Sequence, residues 1–100
     1  HPTLTLFTKP ESKETHVYHL FVITIQDRDS LFNYLKNNQI NTLIHYPIPI
    51  HHQKPCLESK TDPQGLNNAE THADKCLSLP CHPQMSEKDI HKVIEAINEY

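Results

Sequence analysis

The apolar residues of this chain of 100 residues fall into short alternating stretches separated by stretches with helical spacing. The clearest alternation, over residues 16–25, predicts a β-strand, because successive side chains of a strand point to opposite faces. Both of its faces are largely apolar, which favours a central strand packed on helices on one side and on a neighbouring surface on the other. A second alternation predicts a strand over residues 40–46, which stops at two prolines, Pro47 and Pro49.

Residues 1–15 form a leading segment with a different pattern. Leu4 and Leu6 begin a short alternation that predicts a leading strand. The polar residues that follow, up to residue 15, predict a solvated loop.

The stretch between the two strands has the spacing of a helix, predicted over residues 27–38. Asp27 is a candidate N-cap residue, because a carboxylate there can accept hydrogen bonds from the first backbone N–H groups. Asn37 and Asn38 are expected to end the helix in a left-handed turn, since asparagine is the common substitute for glycine at this position. The apolar face of this helix consists of Leu31, Phe32 and Leu35.

The second half of the chain predicts two more helices and one more strand. A short helix over residues 67–76 is followed by a strand over residues 77–79, which Pro80 stops. The last helix begins at Ser86 and Asp89, a spacing similar to a capping box. Its apolar stripe, which we expect to pack on the sheet, consists of Ile90, Val93, Ile94 and Ile97.

Alternation of strands and helices along the chain predicts an α/β fold. We expect one small domain over residues 1–100, a sandwich of a short sheet of about three strands with helices packed on it. A chain of this size buries only about two-thirds of the surface that its unfolded form exposes, so we expect modest stability. The polar loop over residues 58–65 holds the only glycine and is expected to be the most mobile segment.

Composition and charge exclude several classes of function. The net charge is −3, tryptophan is absent and lysine and arginine form no stripe, so we expect no nucleic-acid partner. The longest apolar run, residues 20–23, is far too short to span a bilayer, so we expect a cytoplasmic location without membrane contact. The three cysteines cannot all pair, which favours reduced thiols. Because residue 1 is His rather than Met, we expect the chain to be part of a longer protein.

Nine histidines are the most unusual feature of the composition. For most of them, including His16 and His19, the simplest interpretation is a polar aromatic residue on the surface. His45 and Tyr46 differ, because they lie where an alternating stretch meets a proline-stiffened loop, which holds side chains rigidly while they face a ligand. Imidazole and phenol groups there can bind sugar hydroxyls or phosphate oxygens.

Two other kinds of chemistry are weaker candidates. A structural zinc site would use His72, Cys76, Cys81 and His82, but this set lacks the paired spacing of closed zinc sites, so we expect no bound metal. Nucleophilic catalysis would use Cys56, which follows a proline near two histidines, and sequence proximity alone gives it no geometry. Residue chemistry by itself therefore identifies no catalytic residue.

Several motifs, taken in order, resemble the DegT/StrS-type sugar aminotransferases over about residues 16–100. Any one of them is weak, but their order is specific. The motifs are His16-Val-Tyr-His-Leu-Phe-Val-Ile23, Arg28-Asp29-x-Leu31-x-x-Tyr34-Leu35, Ile40-x-Thr42-x-Ile44-His45-Tyr46-Pro47-x-Pro49-x-His51-x-Gln53, Ala69-Glu70, Leu77-Ser78-Leu79-Pro80-x-His82-Pro83 and Val93-Ile94-x-x-Ile97.

The resemblance implies the C-terminal domain of a fold-type-I enzyme that depends on pyridoxal phosphate. Such enzymes transfer an amino group, usually from glutamate, to a keto-sugar linked to a nucleotide, in cell-surface polysaccharide or deoxysugar biosynthesis, and act as homodimers. The lysine that binds the cofactor belongs to a larger domain that precedes this one, so the chain alone is expected to be inactive. By the same resemblance His45 and Tyr46 bind the substrate, and His51 and Gln53 lie in the loop just beyond.

Three positions depart from the family's pattern. Gln39 stands where the family places a helix-ending glycine, which is expected to cost about 1 kcal/mol. Asn67 stands where proline is common, and Cys56 stands where a small residue is common, so both concern loop geometry. One alternative function stays open, a free-standing module that binds a nucleotide sugar or a protein without transaminase activity. In either case we expect the chain to expose an apolar face where the large domain would pack.

Overall fold

The computed structural model describes residues 1–7, 11–12 and 15–100. It shows a three-stranded antiparallel sheet with three helices, which confirms the predicted α/β class and the short sheet. The strands, in their spatial order, are β1 (Leu4–Leu6), β2 (Phe21–Ile25) and β3 (Cys76–Leu79). The helices are α1 (Arg28–Asn37), α2 (Asn67–Lys75) and α3 (Glu87–Glu99), with two short 3₁₀ turns at Ile50–His52 and Lys54–Cys56.

Strand β2 is central, as predicted, but it is half the predicted length. Ile23 and Ile25 are buried on one face, and Ile23 pairs with Leu77 of β3. The strand begins at Phe21 rather than at residue 16, because the backbone of Tyr18 is left-handed, with φ of 48°, which an extended strand does not allow. The backbone N–H of Tyr18 instead donates to Nδ1 of His16 at 2.8 Å, which closes a local turn.

The prediction of a strand over residues 40–46 is wrong. Only Leu43 of this stretch pairs with the sheet, in an isolated bridge to Ser78, while β1 supplies the third strand. On one side the ladder cannot extend from this bridge, since the next pair would place Asn41 opposite Pro80, which has no N–H to donate. The short strand predicted near Leu4 and Leu6 is confirmed by β1, whereas the loop predicted after it lies largely outside the described residues.

Helix α1 has the predicted span to within one residue at each end, but its two ends differ from the prediction. Asp27 occupies the N-cap position without a side-chain hydrogen bond to the backbone. At the other end the left-handed residue is Gln39, with φ of 59°, rather than Asn37 or Asn38. The N–H of Ile40 donates to Leu35 O at 2.9 Å and the N–H of Gln39 to Lys36 O at 3.0 Å, the two hydrogen bonds of a Schellman motif.

Replacing Gln39 with glycine is expected to raise the free energy of unfolding by about 1 kcal/mol, because the left-handed backbone strains any residue with a Cβ atom. Chemical denaturation followed by circular dichroism measures the change. Asn38→Gly is the matched control: Asn38 has an ordinary φ of −85°, so glycine there should lower stability. A Gln39→Gly variant less stable than the parent would contradict the strain.

Helix α3 confirms its predicted start. Ser86 is the N-cap residue: its hydroxyl accepts from the N–H of Asp89, and the Asp89 carboxylate accepts from the N–H of Ser86. The predicted packing of the apolar stripe is only partly right, because Val93 and Ile97 pack on the core whereas Ile90 and Ile94 are 43% and 50% exposed. The buried residue of α3 is instead a small one, Ala96, which lies between Val93 and Ile97 in the sequence.

An open apolar groove lies between the sheet and α3. It is lined on the sheet side by Leu6 and Phe21 and on the helix side by Ile90 and Ile94, all of which are exposed. Within the described part of the chain, no helix combines the length and the apolar character needed to cross a membrane.

The capping box predicts a specific pH dependence of stability. Its hydrogen bonds from the hydroxyl and the N–H of Ser86 hold the pKa of Asp89 below its ordinary value of 3.8. Because the folded pKa is lower than the unfolded one, the stabilisation is complete above the unfolded pKa and is lost as the pH falls through the folded pKa. Asp89→Asn should therefore lower the melting temperature at neutral pH and much less in strongly acidic solution. An equal loss at both pH values would contradict this role.

The main core cluster joins the sheet to α1 and α3. Its buried apolar members are Ile23, Ile25, Leu31, Leu35, Ile40, Leu77 and Ala96. Arg28, at the start of α1, also donates from its guanidinium to Ala73 O and Cys76 O, each at 3.3 Å. These two carbonyls are at the C-terminal end of α2, so Arg28 satisfies groups that the helix leaves without partners and fixes α2 against α1.

Candidate functional site

One surface pocket is formed by the segment that follows α1, by the two 3₁₀ turns and by α2. The four predicted binding residues all line it, which are His45, Tyr46, His51 and Gln53. Apolar contacts come from Ile48, Ile50, Leu66, Ala69 and Ala73, and polar groups from Ser59, Lys60 and Asp62. The structure therefore brings together side chains that lie up to eight positions apart in the sequence, against a helix that is further along the chain.

His45 is the most firmly held of the four. Its Nδ1 lies 2.9 Å from the hydroxyl oxygen of Ser78, a buried residue of β3. The same serine anchors the backbone two residues earlier, since Leu43 N–H donates to Ser78 O at 3.1 Å and Ser78 N–H to Leu43 O at 2.7 Å. The carbonyl of His45 also accepts from the thiol of Cys76 at 3.8 Å. With Nδ1 engaged, Nε2 is the ring nitrogen left for a ligand.

Tyr46 lies beside His45 and is 70% exposed. The two rings meet edge to face, with their centroids 5.5 Å apart and an interplanar angle of 86°. The peptide bond between the two residues is cis. Within the described residues the phenol hydroxyl makes no hydrogen bond, so it is available to a ligand.

His51 and Gln53 are held by neighbours as well. Nε2 of His51 lies 3.0 Å from a carboxylate oxygen of Glu70 in α2, and the side chain of His51 is 14% exposed. The amide of Gln53 donates to Ile48 O at 3.5 Å, the limit of a hydrogen bond. His51 is thus fixed against α2, and Gln53 keeps its amide oxygen free for a ligand.

The sequence missed the two residues that orient the site, Ser78 and Glu70. Both belong to motifs that carry the family resemblance. The sequence does not indicate their contacts, because each residue contacts a histidine that is distant along the chain. The separations are 33 residues for Ser78 and His45 and 19 residues for Glu70 and His51. The alternation of β3, which places Ser78 on the face opposite Leu77, is the signal that could have indicated the first.

The zinc set considered from sequence is not assembled among the described residues. Cys76 is buried, while Cys81 is exposed and its thiol donates to Tyr18 O at 3.4 Å, away from His72. Burial raises the pKa of the Cys76 thiol, against the smaller opposing effect of Arg28. Cys76 therefore stays protonated at neutral pH and packs as a small apolar residue.

Ser78→Ala tests the attachment of His45. Loss of the hydroxyl should leave Nδ1 without its partner, so we expect the imidazole to exchange between tautomers and the domain to lose about 1 kcal/mol of stability. Imidazole ¹⁵N chemical shifts of His45 report the tautomer directly. Ser59→Ala, an exposed serine of the same pocket, is the control and should change neither quantity. An unaltered His45 tautomer in Ser78→Ala would show that the hydroxyl does not set it.

Comparison with known proteins identifies the family to which this fold belongs. A profile of the DegT/DnrJ/EryC1/StrS aminotransferase family matches residues 1–98. The chain belongs to this family.

Two curated relatives of this chain are named for their reactions. The chain is 38% identical over 99 residues to the dTDP-3-amino-3,6-dideoxy-alpha-D-galactopyranose transaminase of Aneurinibacillus thermoaerophilus, covering 99% of the chain and 26% of the relative. It is 38% identical over 85 residues to the dTDP-3-amino-3,4,6-trideoxy-alpha-D-glucose transaminase of Streptomyces venezuelae, covering 84% and 22%. Both relatives are transaminases named for nucleotide-linked amino sugars, and the chain spans about a quarter of their length.

Solved structures agree with these relatives. An aminotransferase of the family from Brucella abortus superposes with a TM-score of 0.89 at 28% identity, over 98% of the chain and 26% of that protein. DesV from S. venezuelae, solved with a ketimine intermediate, gives a TM-score of 0.87 at 33% identity with the same coverage of 98% and 26%. NtdA from Bacillus subtilis, solved with the bound cofactor PMP, gives 0.79 at 29% identity over 97% of the chain and 22% of that protein.

Proposed function

We propose that this chain is the C-terminal domain of an aminotransferase that transfers an amino group, from glutamate, to a keto-sugar linked to a nucleotide. Family membership and the names of the relatives support the reaction class. The observation that carries the role of this domain is the pocket, which gathers His45, Tyr46, His51 and Gln53 on one wall. Their imidazole, phenol and amide groups suit sugar hydroxyls and phosphate oxygens.

The residues of the pocket wall are suited to positioning a bound substrate. His45 presents Nε2 from a ring fixed by Ser78, and Tyr46 presents an exposed phenol beside it. Groups held in this way orient a bound sugar without losing much side-chain entropy on binding. We propose that His45 and Tyr46 bind the sugar or phosphate part of the substrate and that His51 and Gln53 complete the wall.

The cofactor of the complete enzyme is, in this proposal, pyridoxal phosphate, which supplies the electron sink of transamination when it is bound. The residues of this chain fit a substrate wall better than a site for the cofactor ring. Lys60 is the one lysine among the residues that line the pocket, and it is exposed in a loop rather than packed beneath a planar ring. We therefore propose that the lysine that binds the cofactor lies outside this chain, in the rest of a longer protein. We also propose that this longer protein is cytoplasmic and acts as a homodimer in cell-surface polysaccharide or deoxysugar biosynthesis.

Reductive trapping tests this division. The full-length protein is incubated with pyridoxal phosphate, reduced with borohydride and digested, and the modified peptide is identified by mass spectrometry. The modified lysine is expected to lie outside these 100 residues. A stoichiometric adduct on Lys60, or on any other lysine of this chain, would overturn the assignment.

A second candidate function is favoured by one observation, that the chain that carries the pocket has its own buried core of sheet and helices. A module of this kind would bind a nucleotide sugar without transaminase activity. Titration of the chain with dTDP- or UDP-sugars, followed by the NMR signals of His45 and Tyr46, separates the two. Saturable shifts from the isolated chain, together with no modified lysine in the trapping experiment, would favour the binding module.

A further inference from the structure

A cluster of three side chains outside the helix-sheet core has the composition of a metal site. His51 and His52 are consecutive in the first 3₁₀ turn, and Glu70 faces them from α2. We propose that these three residues bind a divalent transition-metal ion, with zinc as the ion of best fit. The cluster shares His51 with the pocket wall, but metal binding is measured without transaminase activity, so its test is independent of the proposed aminotransferase function.

The distances within the cluster are close to those of a zinc site. Nε2 of His51 lies 3.0 Å, and Nε2 of His52 3.7 Å, from the same carboxylate oxygen of Glu70. The three ligand atoms all lie within 4.8 Å of one another. Zinc bound at about 2.0–2.1 Å in a tetrahedral site holds its ligand atoms about 3.3–3.4 Å apart, so the two measured separations lie on either side of the required value.

Both imidazoles approach one carboxylate oxygen, which a simple ion pair does not require. At 3.0 Å the contact of His51 is a hydrogen bond, but at 3.7 Å His52 is beyond hydrogen-bond distance. The two rings lie with centroids 4.2 Å apart, close enough for one ion to contact a nitrogen of each. A cation between neutral imidazoles and an ionised carboxylate satisfies all three groups at once.

Exposure and donor type narrow the class of metal. His52 and Glu70 have side-chain exposures of 56% and 42%, so an ion can enter from solvent and the side chains can adjust by the small distance required. Two imidazole nitrogens and one carboxylate oxygen favour zinc, copper or nickel over magnesium and calcium, which prefer oxygen ligands alone. Three protein ligands leave a fourth tetrahedral position for water.

The test is a titration of the purified, metal-free protein with Zn²⁺ by calorimetry, and with Co²⁺ by visible absorption. One Zn²⁺ per chain and the intense visible bands of tetrahedral cobalt are expected. His52→Gln and Glu70→Gln should each weaken binding about tenfold or more, because loss of a ligand costs at least as much as loss of a group that only supports one. Both side chains are partly exposed, so the variants should keep the melting curve of the parent, with NMR changes confined to the cluster.

Other histidines could bind metal adventitiously, so a matched control is needed. His19→Gln removes an exposed histidine outside the cluster and should leave the affinity unchanged. Absence of stoichiometric binding, equal affinity in the parent and both cluster variants, or an equal loss in His19→Gln would each overturn the proposal. None of these results bears on the trapping experiment, which measures the cofactor lysine.

Discussion

Under the proposed function, replacing His45 with alanine in the full-length protein is expected to lower kcat/KM about ten- to a hundredfold. The imidazole is fixed by Ser78 and presents Nε2 to the pocket, where it would hydrogen-bond a charged or polar group of the substrate. A hydrogen bond to a charged group is worth about 1.5–3 kcal/mol, and each 1.4 kcal/mol corresponds to about a factor of ten. Steady-state kinetics with the nucleotide keto-sugar measures the effect.

Two variants make this experiment specific. Tyr46→Phe removes only the exposed phenol hydroxyl and should raise KM if that group binds the sugar in the ground state. His16→Ala removes a histidine in the turn before β2, outside the pocket, and should leave the kinetic constants unchanged. Unaltered kcat/KM in His45→Ala, with the variant folded, would remove His45 and the pocket wall from the mechanism.

Replacing Leu77 with alanine is expected to lower the free energy of unfolding by about 3 kcal/mol. Leu77 is fully buried in β3 and pairs with Ile23 in the centre of the sheet, so truncation removes apolar contacts and leaves a cavity. Domains of this size have a total stability of only about 5–15 kcal/mol, so the variant should unfold at a much lower denaturant concentration. Urea denaturation followed by far-ultraviolet circular dichroism gives the midpoint.

Leu57→Ala is the matched control for the core substitution. Leu57 is 63% exposed, so the same truncation there should change the free energy of unfolding by less than about 0.5 kcal/mol. Similar losses at both positions would show that the sheet is not the main source of stability.

The helices could be predicted from the sequence because their signals are local. The capping box of Ser86 and Asp89 and the apolar spacing of α1 lie within a few residues of the elements that they define. The general preference of asparagine for a left-handed backbone predicts the wrong residue after α1, Asn37 or Asn38. The resemblance, in which the family has glycine at the position of Gln39, indicates the correct one.

The strands could be predicted less well because their limits depend on partners. The alternation over residues 40–46 is real, but its only partner in the sheet is Ser78, and Pro80 prevents the next pair. Periodicity indicates which residues could face a sheet, and it cannot show whether a neighbouring strand has donors to offer. The third strand is instead β1, which has only three residues and pairs with β2 at the opposite edge of the sheet.

The residues of the candidate site also differ in whether local sequence indicates them. His45 and Tyr46 could be selected from sequence because they lie at the end of an alternating stretch beside prolines, and the resemblance added His51 and Gln53. The cluster of His51, His52 and Glu70 could not, since it depends on the packing of a 3₁₀ turn against α2. Contacts between distant residues require the fold before they become visible.

Strand β3 serves the core and the pocket with consecutive residues. Leu77 faces the buried interior, and Ser78, on the opposite face, holds both the backbone at Leu43 and the ring of His45. A displacement of this strand is therefore passed to the imidazole through its one hydrogen bond to Ser78, and to the nearby backbone through the two at Leu43. Under the proposed function, a core substitution that shifts β3 without changing the melting curve is therefore expected to misalign the ring of His45 and lower the turnover rate.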